Sequence, residues 1–103
     1  MARFDVYPNP DASERAAVPF WLDVQNTFIE VDTRIVVPLH AVNRFRALVR
    51  NLNPVLVVEG RNVVMNTSAL GAVPIADLHR PVGNLKAQQV DILEALDTLL
   101  GGY

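Results

Sequence analysis

Alternation of apolar and polar side chains governs most of the chain, and a helical period replaces it only near the end. Phe4-Asp5-Val6-Tyr7 alternates until Pro8 and the Asn9-Pro10-Asp11 cluster stop it, which predicts a first strand entering a loop over residues 8–17. Pro19 to Gln25 is β-prone, with Leu22 and Val24 alternating against Asp23 and Gln25, and reads as strand two. Arg34-Ile35-Val36-Val37-Pro38-Leu39 is a short unbroken apolar run, as in a strand buried on both faces; Pro38 requires an edge or a bulge, so strand three is expected to end near Leu39. From His40 to Asn53, Val42, Phe45, Leu48, Val49 and Leu52 recur at helical spacing beside Arg44, Arg46 and Arg50, giving a loop or a short helix. Residues 54–67 predict a hairpin turning at Glu59-Gly60-Arg61-Asn62, and 72–75 a further short strand. Pro81 and Gly83 exclude a regular element between Asp77 and Gly83, after which Asn84 is placed to N-cap a final helix.

That helix runs through Asp91-Ile92-Leu93-Glu94-Ala95-Leu96-Asp97-Thr98-Leu99-Leu100 to Gly101-Gly102-Tyr103. Apolar positions fall at 85, 92, 96, 99 and 103 on one stripe and at 93, 96 and 100 beside it, wider than a single core contact needs. Part of this arc is expected to meet another chain. Tyr103, next to two glycines and a free carboxylate, is placed either for recognition or for packing back on its own barrel or dimer. About five antiparallel strands and one long C-terminal α-helix predict a mostly β, or α+β, small barrel-like domain over 1–103.

Composition adjusts this picture in three ways. A single domain of 103 residues buries about two-thirds of its unfolded surface and needs no staple. Cysteine is absent, which removes disulfides, thiolate metal sites and a cysteine nucleophile and fits a reducing cytoplasm. The opening Met-Ala-Arg-Phe-Asp-Val-Tyr lacks an apolar signal core, and no run reaches the ~18 apolar residues of a membrane span, so a cytoplasmic protein with no membrane contact is expected. Half the residues are hydrophobic and 19% charged, below the usual share of about 25%, which predicts that a second copy covers some apolar surface. The net charge of −2 leaves no basic field for a phosphate backbone.

Candidate chemistry is sparse. His40 and His79 have no acidic or second histidine at ligand spacing and read as surface residues, so neither a metal site nor a catalytic dyad is expected, and no cofactor. Ser13 and Ser68 lack the glycines of a nucleophile elbow and read as turn residues. Asp23 and Gln25 point outward for solubility or for binding, Trp21 packs in or at the edge of the barrel, and Asp91, Glu94 and Asp97 share one helical arc that is either solvated or meets a basic partner. Arg44, Arg46 and Arg50 form the one local basic cluster, a solvated face or a contact for an acidic segment.

At Leu22-Asp23-Val24-Gln25, Arg34 to Leu39, Asn53-Pro54-Val55, Met65 with Thr67, Val73-Pro74 and the terminal Asp91-Ile92 helix, the chain resembles the CcdB family of bacterial toxins in order, spacing and length. The resemblance implies an SH3-like barrel with a long C-terminal helix, a homodimer, and the toxin half of a type II toxin–antitoxin system of the kind that serves plasmid maintenance. It further implies a non-enzymatic poison that enters between the two A subunits of DNA gyrase and traps the cleaved-DNA complex. The implied partners are that subunit and a CcdA-like antitoxin whose disordered tail folds on binding. Operator DNA and transcriptional autoregulation would be reached only through the antitoxin. The family's target contacts carry over as Gln89, Glu94, Asp97, Leu100, Gly101, Gly102 and Tyr103, with Asn26 and Phe28 beside them; Leu96, Leu99 and Tyr103 carry over to the dimer interface. The best-known members end Trp-Gly-Ile, whereas this chain ends Gly101-Gly102-Tyr103 and so lacks the indole anchor. The alternative on the same barrel is a MazF-like endoribonuclease, with Arg34 or Arg61 and Asp32 in its groove, against which the low positive charge counts. A degenerate relative keeping only antitoxin binding and autoregulation is the third reading.

Overall fold

The computed structural model describes residues 1–46 and 48–101. Among these residues seven strands, β1 (Asp5–Pro8), β2 (Phe20–Asp23), β3 (Thr33–Ala41), β4 (Val55–Val58), β5 (Arg61–Met65), β6 (Gly71–Pro74) and β7 (Gly83–Asn84), precede the helix α1 (Gln89–Leu100). Every strand pairing is antiparallel, in the order β4-β5-β3-β2-β1-β7, with β6 also on β3. The sheet curls into a half-barrel with α1 laid across it, an α+β small barrel.

β3 organises the sheet because it has two partners on one edge. β6 takes Thr33–Val36 and β5 takes Leu39–Ala41, while β2 runs along Val36–Leu39 on the other edge. Pro38 falls in the gap between β6 and β5, where its missing N–H deprives no strand partner, and its carbonyl accepts from Asn66 N at 3.0 Å. The strand therefore passes through the proline to Ala41 rather than ending near Leu39. Its two faces are both occupied, as the unbroken apolar run predicts. Val37 and Leu39 join Val6, Leu22, Leu56, Val63 and Met65 in the main core, while Val36 on the opposite face packs with Tyr7, Leu78 and the half-buried Trp21.

The hairpin follows its turn chemistry. Val58 pairs with Arg61, so only Glu59 and Gly60 turn, both with positive φ (52° and 75°); Arg61 and Asn62 belong to β5. Among the described residues between His40 and Asn53 the helical spacing yields a single 3-10 turn, Val42–Arg44. Val42, Leu48 and Val49 are exposed, and without a face to bury the periodicity cannot stabilise a helix.

At the C-terminus the helix begins later than Asn84 predicts. Asn84 pairs with Asp5 in β7, its Oδ1 accepts from Lys86 N at 2.9 Å, and a 3-10 turn over Lys86–Gln88 separates it from α1. Leu85 packs in the main core ahead of the helix, its N–H bonded to Phe4 O at 2.9 Å, and is not part of the helical stripe. Ile92 and Ala95 form the buried line of α1, with Leu93 and Leu96 half-buried against the same core; the small Ala95 lets the helix approach the sheet closely. Gln88 then reaches the far edge of the sheet: its Oε1 accepts from Val57 N and its Nε2 donates to Val57 O, both at 2.9 Å, so one side-chain amide occupies the edge of β4 as a neighbouring strand would.

Candidate functional site

Two surface elements meet at one end of the half-barrel. The first is the β2–β3 connection, residues 24–32. The expectation that Asp23 points outward fails: its side chain is fully buried and takes Arg34 in a bidentate pair, Nε to Oδ2 at 2.7 Å and Nη2 to Oδ1 at 2.9 Å. The register explains the pairing, since Asp23 lies opposite Val36 and the residue two positions back along β3 is diagonal on the same face. Arg34 also donates to the carbonyls of Gln25, Asn26 and Ile29, and Gln25 spans to β3 by accepting from Ile35 N at 2.9 Å. Above this base Asn26 and Phe28 are exposed, Phe28 to 89%. A shallow hollow of about 220 Å³ lies under the rest of the connection, lined by Met1, Ile29, Val31 and Ile75 together with Thr27, Glu30 and Arg34.

The second element is the end of α1. Leu93, Leu96 and Leu100 on the helix face Val24, Gln25 and Ile35 across a groove of about 390 Å³ that also takes in Asp97 and Gly101. The wide apolar arc thus divides: Ile92 enters the core, Leu96 and Leu99 are half-buried, and Leu100 stands 70% exposed at the groove's mouth. Glu94 and Asp91 lie on the other flank, beside Asn51, Pro54 and Val55. Among the described residues Asp91, Glu94 and Asp97 enter no ion pair. Asp97 sits in the last helical turn, which carries no basic residue, so its charge opposes the helix dipole.

The structure therefore brings Asp97, Leu100 and Gly101 to the same groove as Val24 and Gln25 at the start of the β2–β3 connection, but Asn26 and Phe28 do not line it. It does not bring Gln89 there: this residue opens α1, eleven residues or about 16 Å of helix away from Leu100. Gly102 and Tyr103 lie outside the described residues, and with them the proposed recognition end and one of the three dimer contacts.

Other sequence candidates take ordinary places. Ser13 Oγ donates to Asp11 Oδ1 at 2.6 Å in a 3-10 turn, Ser68 is exposed in another, and His79, Arg44, Arg46 and Arg50 are exposed. His40 departs from its surface reading. It is half-buried, edge-on to Phe45 with ring centroids 5.2 Å apart, with Nε2 3.1 Å from Asn66 Nδ2 and Nδ1 enclosed without a partner; burial lowers its pKa. Among the described residues no group of three or more His, Asp or Glu is placed to hold a metal ion, and no helix is long and apolar enough to cross a membrane. Of the two arginines named with Asp32 for an endoribonuclease groove, Arg34 is committed to Asp23, and Arg61 is exposed in the β4–β5 hairpin.

No curated protein matches the chain in sequence. The family model described as CcdB protein matches residues 3–102, nearly the whole chain. With the α+β half-barrel and C-terminal helix already in place, that match establishes that the chain belongs to the CcdB family, toxins of toxin–antitoxin systems with an antitoxin partner.

Proposed function

We propose that the protein poisons DNA gyrase by binding its A subunit as a symmetric dimer, and that a CcdA-like antitoxin with a disordered tail neutralises it. The contacts are Asn26 and Phe28 on the β2–β3 rim, Glu94, Asp97, Leu100, Gly101, Gly102 and Tyr103 at the helix end, with Gln89 at the periphery; Leu96, Leu99 and Tyr103 serve the dimer. The observation that carries this reading is the meeting of the helix end with the start of the β2–β3 connection at one groove, where Leu100 is exposed beside Asp97, while Phe28 is exposed farther along the same connection. An apolar ring left in water and an acid set against its own helix dipole both gain when a partner with an apolar pocket and basic groups covers them.

The energetics are of the required size. Burying a phenylalanine side chain contributes about 1.5–3 kcal/mol, so the two copies of Phe28 in a dimer bring about 3–6 kcal/mol. Moving a target from 1:99 to 99:1 in favour of one conformer takes about 5.5 kcal/mol, provided that the contact forms only in that conformer. Tyr103 takes over part of the anchoring that the indole provides in relatives. Purified protein incubated with gyrase, supercoiled plasmid and ATP is expected to accumulate linear DNA. Cleaved RNA with intact plasmid would instead support the endoribonuclease, and absence of either product would leave antitoxin binding alone.

A further inference from the structure

The arrangement of Arg34 goes beyond an ion pair. Its guanidinium has five N–H donors, and all five are used: two on the Asp23 carboxylate at 2.7 and 2.9 Å, and one each on the carbonyls of Gln25 (2.9 Å), Asn26 (3.3 Å) and Ile29 (3.2 Å). A carboxylate alone would neutralise the charge. The remaining three bonds hold the backbone on both sides of Phe28. Asp23 reinforces the near side by accepting from Gln25 N at 3.0 Å, and Asn26 closes the tip, its Oδ1 accepting from Phe28 N at 2.9 Å and its carbonyl from Ile29 N at 3.2 Å. Thr27 Oγ1 takes Arg3 N at 2.9 Å from outside. Amid these constraints Phe28 remains 89% exposed, although a hollow in which Met1, Ile29, Val31 and Ile75 supply apolar surface beside Thr27, Glu30 and Arg34 lies under the same connection.

We propose that Arg34 is a positioning residue: it locks the β2–β3 connection so that Phe28 is presented to the target instead of collapsing into the neighbouring hollow. The proposal rests on the reading of this rim as a target contact. A ring in a free loop moves toward nearby apolar surface, and every molecule in that collapsed state is unable to bind. The apparent dissociation constant rises as the inverse of the competent fraction. Lysine at position 34 can keep one contact to Asp23 but cannot span the carboxylate and three carbonyls.

The test combines hydrogen exchange on the free protein with binding kinetics on immobilised gyrase A subunit. Arg34→Lys is expected to accelerate exchange at Phe28 and Ile29 about tenfold while amides of β3 and β5 keep their protection, and to lower the association rate by about the same factor with dissociation little changed. Phe28→Ala should do the opposite, raising the dissociation rate, and the double variant should lose less than the product of the two effects. Thr27→Gly, which loosens the connection without touching the buried pair, should reproduce the slower association on a smaller scale and decides the matter if Arg34→Lys does not fold. Unchanged exchange over 26–31, or a loss of protection spread evenly over the whole sheet, would overturn the positioning role. If wild type fails to engage the subunit, the proposed target falls, and exchange alone then decides whether Arg34 locks the connection.

Discussion

Replacing Gln88 by alanine removes the side chain that stands in for a missing strand. Gln88 forms two hydrogen bonds of 2.9 Å with Val57, one to the N–H and one to the carbonyl, across 31 residues of sequence. Each contributes about 0.5–1.5 kcal/mol net. Val57 is half exposed, so water can replace the amide and no buried group is stranded. The expected loss is therefore about 1–2 kcal/mol, which for a domain of this size corresponds to a fall in melting temperature on the order of 5–15 °C. A second consequence is association. β4 ends the sheet with Val55 and Val57 outward, and freeing Val57 leaves an apolar edge open to pairing with another copy. Thermal unfolding by circular dichroism, exchange at the Val57 amide and sedimentation at several concentrations measure these effects. Gln88→Glu separates the two bonds, because a carboxylate still accepts from Val57 N but cannot donate to its carbonyl. If Gln88→Ala melts within about 1 °C of wild type and the Val57 amide exchanges no faster, the amide does not act as a strand partner.

Three further outcomes follow from individual sites. Asp23→Ala leaves the Arg34 guanidinium buried without its counter-charge and should cost about 3–5 kcal/mol in urea unfolding. Burial, helped by the charges of Asp5 and Asp23, raises the Tyr7 pKa from 10.0 to about 12. The phenol loses its proton more easily unfolded than folded, so this contribution is complete below pH 10 and disappears as pH rises through 12; Tyr7→Phe should flatten alkaline unfolding across that window. Glu59→Asn suits the positive φ of 52° at the first turn position and should raise the urea midpoint, recovering part of the roughly 1–2 kcal/mol that left-handed backbone costs an ordinary side chain.

The exposed side chains also divide by what they offer a partner. Arg44, Arg46 and Arg50 surround a connection whose apolar residues Val42, Leu48 and Val49 are open to solvent, while the acidic residues of α1 lie on the helix. Opposite charges are thus carried on different elements, suited to partners of different charge rather than to a single one.

The sequence by itself determined the strands from β1 to β6, the hairpin and the terminal helix, because alternation, turn residues and helical period act over a few residues and need no knowledge of the partner. Phe28 and Leu100 entered only through the family resemblance, and the structure leaves both exposed. Only the tertiary structure decided the fate of the polar groups. Asp23 reads as an outward strand residue until the β2–β3 register sets Arg34 diagonal to it on one buried face. Asn84 reads as a helix cap until Asp5 claims its backbone for β7, and nothing local marks Gln88 until the fold brings Val57 within reach. Pro38 ends a strand in sequence but not in space, since the gap between β5 and β6 leaves its missing donor without consequence. An apolar side chain needs only an inside, which periodicity reveals, whereas a buried polar group needs a particular partner at hydrogen-bond distance.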